Sequence, residues 1–272
     1  MTKAIFFDID GTLLDGNAGI FNLTERVKTA LNRLKNAGHY IFIATGRPYA
    51  FLQREILNFG FDGYVLLNGA VVIVDGKIIF RSPIDKSAVK KICEYVESEQ
   101  IEYILESHPQ IYFRRDAKAI EDFFRKIRVD CSNFIRDFEI DDVETFKVEC
   151  VTFRRDVENL DKIYKKILET PNFTGWSDPF RFKSLEVSSN KISKADGIFK
   201  ILNHFNIDID NSYAFGDGFN DIEMISRVGT GFAMGTAGEN LKQKAKFVVP
   251  SVHEDGVAVG IEKYILSLSD KG

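Results

Sequence analysis

Apolar and polar positions in the first third of the chain follow two periods, which predict strands and helices in turn. The apolar run Ala4–Phe7 ends at a polar segment, as a buried parallel strand does. Apolar positions then recur with the spacing of one helix face, between an N-cap at Thr24 and a stop at Gly38. The runs YIFIA and YVLLN predict two more strands, with a helix from Pro48 to about Phe59 between them. This order predicts a parallel α/β sheet with right-handed crossovers.

The pattern changes after a hairpin that AVVIVDGKIIF predicts, with its turn at Asp75-Gly76. From about Ile84 to Val187, aromatic and β-branched runs such as IEYIL, IYFRR, FKVECVTF and FRFKSLEV alternate with helical stretches near 85–99, 116–128 and 156–168. A segment of this length is large enough to form its own α+β domain.

The strand and helix alternation returns after this segment. KISKADGIFKIL predicts a helix, and SYAFGDG, GTGFAM and KFVV predict three more strands. We therefore expect a Rossmann-like parallel-sheet core formed by residues 1–83 and 188–272, with an α+β cap domain inserted at 84–187.

Composition excludes several classes of protein. The 272 residues are 44% hydrophobic and 28% charged with a formal net charge of -4, which is typical of a soluble globular protein and gives no support to nucleic acid or anionic membrane as a partner. Apolar runs fall short of the roughly 20 residues of a membrane span, and the early charges do not fit a signal peptide. The three cysteines have no metal-ligand spacing and indicate reduced thiols. We expect a cytoplasmic monomer or weak homo-oligomer.

Two acidic clusters follow predicted strands. Asp8 and Asp10 come after the first strand and, being two residues apart, would share one side at its carboxyl end, where open α/β sheets bind ligands. Such carboxylates repel each other unless a cation or a proton separates them. Asp217 and Asp221 follow a later strand in AFGDGFND. Surroundings rich in oxygen and free of sulfur and histidine favour a hard cation, Mg²⁺ above all.

The remaining candidates supply what a phosphate would need. A cation at this edge would hold a phosphate oxygen while one aspartate attacks phosphorus. Thr45 and Gly46 offer a hydroxyl and backbone amides, and Lys194 offers a positive charge near a helix start. Each residue alone is explained by a cap, a turn or a solvated surface. The functional interpretation depends on finding all of them in order.

Four segments resemble the motifs of haloacid dehalogenase superfamily phosphatases: FFDIDGT, IATGR, Lys194 in SKADGI, and GDGFND. The position and size of the inserted segment resemble the large C2-type cap of the Cof-type branch. The resemblance implies that Asp8 is the nucleophile and forms an aspartyl phosphate. It also implies that Asp10 is the general acid and base, with its backbone carbonyl facing the metal.

The resemblance assigns the other site residues as well. It implies that Thr45 and Lys194 bind the transferring phosphoryl group and that Asn220 holds phosphate or its neighbours. Beside these, we expect the backbone amides at Gly46 to bind phosphate and Arg47, next to Thr45, to contact the substrate. The resemblance also implies a Mg²⁺ site formed by Asp8, Asp10, Asp217 and Asp221, the last in a supporting role. The expected function is Mg²⁺-dependent hydrolysis of small phosphorylated metabolites, among them sugar phosphates.

Some alternatives stay open. The family commonly has Lys-Gly in the third motif, whereas Ala195 follows Lys194 here, so Lys191 is a second candidate for that lysine. Asp10 argues against dehalogenase chemistry, which has no leaving alkoxide to protonate. A phosphomutase of the same superfamily and a catalytically idle regulator that binds phosphometabolites remain alternatives. Candidates for substrate contact in the cap are His108, Arg114, Arg115, Trp176 and Arg181. Core packing explains Trp176 better and a solvated surface explains the arginines better, so none of the five is assigned to the site.

Overall fold

The computed structural model describes two compact units. The described residues are 1–16, 18–126, 129, 131, 134–151, 165–167, 169, 173–178 and 184–267. The core unit consists of Met1–Arg47, Leu52–Arg81 and Ile192–Gly272, and the cap unit of Pro48–Phe51 and Ser82–Lys191. Each unit has its own sheet, with eight strands in the core unit and five in the cap unit among the described residues.

The core sheet is mostly parallel, which confirms the predicted fold class. Its strand order is β13-β12-β11-β1-β2-β3-β4-β5. Only β4, the first strand of the hairpin at one edge, runs opposite to the other strands. Asp75 and Gly76 both have positive φ, 49° and 70°, as the predicted two-residue turn requires. The strands are β1 Ala4–Phe7, β2 Tyr40–Ala44, β3 Gly63–Leu66, β4 Val71–Val74, β5 Lys77–Arg81, β11 Ser212–Gly216, β12 Thr230–Met234 and β13 Phe247–Val249.

Helices of the core unit pack on this sheet by the apolar faces that the sequence predicts. The Thr24 side chain accepts a hydrogen bond of 3.2 Å from the amide of Val27 and so caps the first helix. Gly38, with φ 76°, ends it. The helices are α1 Glu25–Asn36, α2 Arg54–Phe59, α5 Lys194–Phe205, α6 Ile222–Arg227, α7 Glu239–Lys242 and α8 Gly256–Gly260, which continues as a π-helix over Ile261–Leu266.

Helix α5 anchors one side of the candidate site. Its buried residues Ala195, Ile198 and Ile201 join the same apolar cluster as Phe6 and Phe42 of the central strands. Burial of this face fixes the start of the helix against the sheet, where Lys194 is the first helical residue.

The helix predicted from Pro48 to Phe59 is wrong in its first half. The structure has a 3₁₀ turn at Tyr49–Phe51, and α2 begins only at Arg54. The Phe51 ring lies 5.1 Å from that of Phe124 and 5.8 Å from that of Phe134, all within the cap unit. Aromatic packing in this cluster therefore overrides the local preference for a continuous helix.

The cap unit contains an antiparallel sheet in the order β7-β6-β8-β10-β9. Its strands are β6 Glu102–Glu106, β7 Ile111–Phe113, β8 Lys147–Val151, β9 Phe173–Asp178 and β10 Ser184–Ser189. Strand β9 is not predicted from the sequence, because its segment FTGWSD lacks an apolar run.

Helix α3, Lys86–Ser98, confirms the stretch predicted near 85–99, and α4, Lys118–Lys126, confirms the described part of that near 116–128. Most of the third predicted stretch, 156–168, lies outside the described residues. No helix in the described part of the chain is both long and apolar enough for a membrane span.

Candidate active site

Three neighbouring strands bring the first candidate residues to one edge of the core sheet. β1 lies between β2 and β11 and is parallel to both, with Phe7 in register with Ile43 and Phe215. Asp8, Thr45 and Asp217 each follow the end of one of these strands. Because carboxyl ends of parallel strands share an edge, their side chains start from adjacent positions.

Lys194 is the cation of this edge. Its Nζ lies 2.6 Å from Oδ1 of Asp8 and 2.6 Å from Oδ1 of Asp221, and all three side chains are buried. Burial alone would lower the pKa of Lys194, but the charges of Asp221 and Asp8 outweigh it and raise this pKa. The alternative lysine, Lys191, is exposed and belongs to the cap unit.

Asp221 organises the loop between β11 and α6. Its Oδ1 accepts from Lys194, and its Oδ2 accepts from the amides of Asp217 at 3.0 Å and Gly218 at 2.8 Å. Both oxygens therefore already have partners. This side chain fixes the position of Asp217 and of the lysine.

Three of the carboxylates lie close enough together to hold a divalent cation. One oxygen from each of Asp8, Asp217 and Asp221 lies within 4.8 Å of the other two, with no thiolate or imidazole in the group. Burial and the charge of Asp221 raise the pKa of Asp217 to about 7, and burial also raises that of Asp8 despite Lys194. A cation offsets such crowding, so this oxygen-only group fits Mg²⁺.

Gly11 lets the first motif approach the last. It has φ 80°, and a Cβ at this position would lie 2.1 Å from Oδ2 of Asp217. Thr12, the next residue, donates to Oδ1 of the same carboxylate at 3.3 Å. A larger residue at position 11 would push Asp217 away from Asp8.

Asp10 points to a different partner. Arg47 Nε lies 2.7 Å from its Oδ2 and Arg47 Nη2 lies 2.6 Å from its Oδ1, a bidentate ion pair. The Arg47 side chain is 24% exposed and that of Asp10 57% exposed. The Arg47 amide donates to Oγ1 of Thr45 at 3.2 Å. The position of Arg47 beside Thr45 predicts contact with the substrate, whereas its pairing with Asp10 is visible only in the structure.

Asn220 and Gly46 both lie next to Asn68, which is not among the site residues predicted from the sequence. Asn220 Nδ2 donates to Oδ1 of Asn68 at 2.9 Å, and a Cβ at Gly46 would lie 3.0 Å from that same oxygen. Asn68 has φ 56°, and its amide donates to the carbonyl of Thr45 at 3.2 Å. An Asn-Gly pair directly after a strand end is the signal that marks this position in the sequence.

Two of the unassigned cap candidates have partners within the cap unit. Arg114 is paired with Glu97 and Arg115 with Asp137, all within the cap unit. Arg181 and the side chain of Trp176 lie outside what the structure describes.

The chain is similar to known phosphatases along nearly its whole length. A profile of the haloacid dehalogenase-like hydrolases matches residues 5–261. A candidate phosphatase of Bacillus subtilis (strain 168), YkrA, is 32% identical over 96% of this chain and 97% of its own length. From the same strain, the 5-amino-6-(5-phospho-D-ribitylamino)uracil phosphatase YitU is 28% identical, with 96% of each chain covered. Among solved structures, the HAD subclass IIB sugar phosphatase BT4131 has 28% identity and a TM-score of 0.82, covering 97% of this chain and 99% of its own.

Proposed function

The chain belongs to the haloacid dehalogenase-like hydrolase family, and from that premise we propose that it removes phosphate from small metabolites through an aspartyl phosphate on Asp8. It is a phosphoric monoester hydrolase, like the phosphatases among its relatives. Mg²⁺ as cofactor and sugar or polyol phosphates as substrates are part of the proposal. Relatives named for a ribitylamino phosphate and for sugar phosphates support that substrate class. We also propose a cytoplasmic monomer or weak homo-oligomer.

The observation that carries the proposal is the environment of Asp8. This carboxylate is 5% exposed, lies 2.6 Å from the Lys194 ammonium and shares an oxygen cluster with Asp217. A nucleophilic carboxylate needs a cationic setting in which an incoming phosphate is not repelled. Lys194 supplies part of that setting and keeps Asp8 oriented.

The other residues divide the remaining tasks. Asp8 and Asp217 would hold Mg²⁺, together with the backbone carbonyl of Asp10, while Asp221 positions the loop. When bound, the metal neutralises charge on the phosphate oxygens. Thr45 and the amides near Gly46 would bind the other phosphate oxygens, with Asn220 beside them.

Asp10 acts on the leaving group and then on water. As general acid it would protonate the departing alkoxide, and as general base it would activate the water that hydrolyses the aspartyl phosphate. Arg47 holds both oxygens of Asp10 and is therefore a positioning residue for these proton transfers. The arginine must release one oxygen, or share it, when Asp10 transfers a proton.

A phosphate-release assay tests this function. We expect turnover of p-nitrophenyl phosphate and of members of a phosphometabolite panel with Mg²⁺, and inhibition by Ca²⁺, which takes longer bonds and higher coordination. Asp8→Asn serves as the inactive control. Full activity in excess chelator would contradict the metal requirement. Absence of turnover on every substrate would favour the idle binding protein.

A further inference from the structure

Three successive residues of the core unit have left-handed backbone. Leu67, Asn68 and Gly69 have φ values of 54°, 56° and 100° and form most of the connection between β3 and β4. We call them the left-handed turn. Glycine, and to a lesser degree asparagine, adopts such φ values readily, but a bulky residue such as leucine rarely does. Leu67 is also buried, at 1% exposure, so the surrounding structure holds this conformation in place.

The left-handed turn is hydrogen-bonded to the segment that follows β2, which carries the proposed phosphate-binding groups. The amide of Leu67 donates to the carbonyl of Arg47 at 3.2 Å, and the amide of Asn68 to the carbonyl of Thr45 at 3.2 Å. The Thr45 amide in turn donates to the carbonyl of Val65, on β3, at 2.8 Å. These backbone hydrogen bonds fix the path of the segment relative to the turn.

The start of helix α5 lies directly against Gly69. A Cβ at this position would be 2.0 Å from the carbonyl oxygen of Ser193 and 3.3 Å from the amide nitrogen of Lys194. On the helix side, a Cβ at Gly197 would be 2.4 Å from Cγ1 of Val65 and 3.2 Å from Cα of Gly69. Both glycines therefore let the backbone of α5 approach the turn more closely than side chains would allow.

This close approach determines where Lys194 lies. Its side chain is fully buried, and its Nζ lies 2.6 Å from Oδ1 of Asp8 and 2.6 Å from Oδ1 of Asp221. A side chain that is packed on all sides cannot compensate for a shift of its own backbone. Movement of the helix start away from Gly69 would therefore move the ammonium relative to the carboxylate that is proposed to attack phosphorus.

We propose that Gly69 is a positioning residue for phosphoryl transfer, because the left-handed turn sets the distance between the start of α5 and the segment after β2. This inference rests on the proposed function and adds to it a residue that acts through Lys194. With the turn between them, Lys194 and Thr45 are held where both reach the same phosphoryl group. Left-handed backbone permits the close approach, which explains why a buried leucine adopts it.

The test measures kcat, KM and Tm of Gly69→Ala with p-nitrophenyl phosphate and Mg²⁺, at a temperature well below Tm. The added methyl group forces Ser193 and the turn apart, and a misplacement of about 1 Å can lower a rate about 10²-fold. We therefore expect kcat to fall about 10- to 100-fold. KM should change by a smaller factor, because Lys194 matters most for the charge that develops in the transition state.

Gly38→Ala is the matched control. Gly38 also has positive φ, 76°, but a Cβ there would meet nothing within 4 Å. This variant should lower Tm through the backbone conformation alone and leave kcat unchanged.

A second variant, Gly197→Ala, decides the question if Gly69→Ala does not fold. It separates α5 from the turn at a position inside the helix, where alanine is the preferred residue, and it should also lower kcat. Wild-type kcat in a folded Gly69→Ala or Gly197→Ala variant, with only Tm lowered, would overturn the inference. Absence of Mg²⁺-dependent p-nitrophenyl phosphate turnover in the wild type would instead contradict the proposed function.

Discussion

Each unit of the molecule contains a buried lysine between two carboxylates. In the core unit, Lys194 lies 2.6 Å from both Asp8 and Asp221, which are almost fully buried. In the cap unit, Lys147 lies 3.0 Å from both Glu106 and Glu186, one of which is partly exposed. A lysine with two carboxylates thus occurs twice, once at the edge of the core sheet and once on a face of the cap sheet.

The two clusters differ in what completes them. Around Lys194, the backbone amides of a loop already satisfy Asp221, and a third carboxylate, Asp217, prepares the group for a cation. Around Lys147, the partners are residues of neighbouring strands: Glu106 faces Lys147 across β6 and β8, and Glu186 on β10 is 31% exposed. A similar ion pair therefore lies at the edge of a mostly parallel sheet in the core unit, beside the proposed nucleophile, and on a face of an antiparallel sheet in the cap unit.

The largest difference in phosphatase activity is expected between the variants Asp8→Asn and Glu106→Gln, of which only the first should be inactive. Asp8→Asn should reduce turnover of every substrate to background, because an amide is a very poor nucleophile. Phosphate release from p-nitrophenyl phosphate by Asp8→Asn and Glu106→Gln, side by side, measures this contrast. Substantial activity in Asp8→Asn would move the nucleophile elsewhere.

Replacing each lysine by methionine separates stability from chemistry. Both Lys194→Met and Lys147→Met leave buried carboxylates unpaired, so each should lower the free energy of unfolding by about 3–5 kcal/mol. Only Lys194→Met should also abolish hydrolysis of p-nitrophenyl phosphate. Urea unfolding followed by circular dichroism measures the stability, with Lys91→Met, at an exposed position, as control. Loss of p-nitrophenyl phosphate hydrolysis in both lysine variants would contradict the different roles expected for the two lysines.

Asp217 should make the stability of the protein depend on pH and on bound metal. A carboxyl group whose pKa rises from 3.8 to about 7 on folding holds its proton more tightly in the folded state. Its ionisation therefore costs metal-free protein stability as pH rises from about 4 to about 7. Asp217→Asn cannot ionise, so it should raise Tm in chelator more at pH 8 than at pH 5.

Added Mg²⁺ provides the second half of that measurement. At pH 8 it should raise the Tm of the wild type, since binding only the folded state stabilises it, and should leave Asp217→Asn nearly unchanged. The exposed Asp210→Asn is the control and should respond as the wild type does. An equal response of Asp217→Asn to Mg²⁺ would remove Asp217 from the metal site.

The smallest effect on activity is expected at Asn68, whose side chain accepts a hydrogen bond from Asn220. Asn68→Ala loses the hydrogen bond and, at φ 56°, replaces asparagine, which tolerates left-handed backbone, with alanine, which tolerates it less well. Asn68→Gly loses the bond without that disadvantage. We expect both to lower kcat/KM by about 5-fold, as one hydrogen bond predicts, and only the alanine variant to lower Tm clearly. Unchanged kinetics in both would place Asn68 outside the site.

Local chemistry explains which parts of the fold the sequence predicts. The cap at Thr24, the turn at Asp75-Gly76 and the period of α5 depend on neighbouring residues alone, and the structure has all of them. The break before α2 depends instead on packing of Phe51 with distant rings. Nothing in the local sequence encodes that contact.

In the candidate site too, local sequence patterns predict some residues, and long-range geometry determines the others. Asp8 and Asp217 are found from the rule that parallel strands end at one edge, whereas the pairing of Arg47 with Asp10 depends on side-chain geometry. The ion pair of Lys147 with Glu186 likewise depends on strand pairing between residues 39 apart in the chain. Sequence periodicity gives each strand's faces but not its partner.

The most direct test of the mechanism uses Asp10→Asn and an aryl phosphate with an acidic phenol. That leaving group needs little protonation, so Asp8 should still be phosphorylated and release a burst of phenol, after which hydrolysis stalls because the base is missing. Rapid mixing would record the burst, and mass spectrometry should locate one phosphate on Asp8. For alkyl phosphates the loss should be about 10²- to 10⁴-fold. Equal loss on aryl and alkyl esters with no trapped phosphoenzyme would contradict the roles assigned to Asp8 and Asp10.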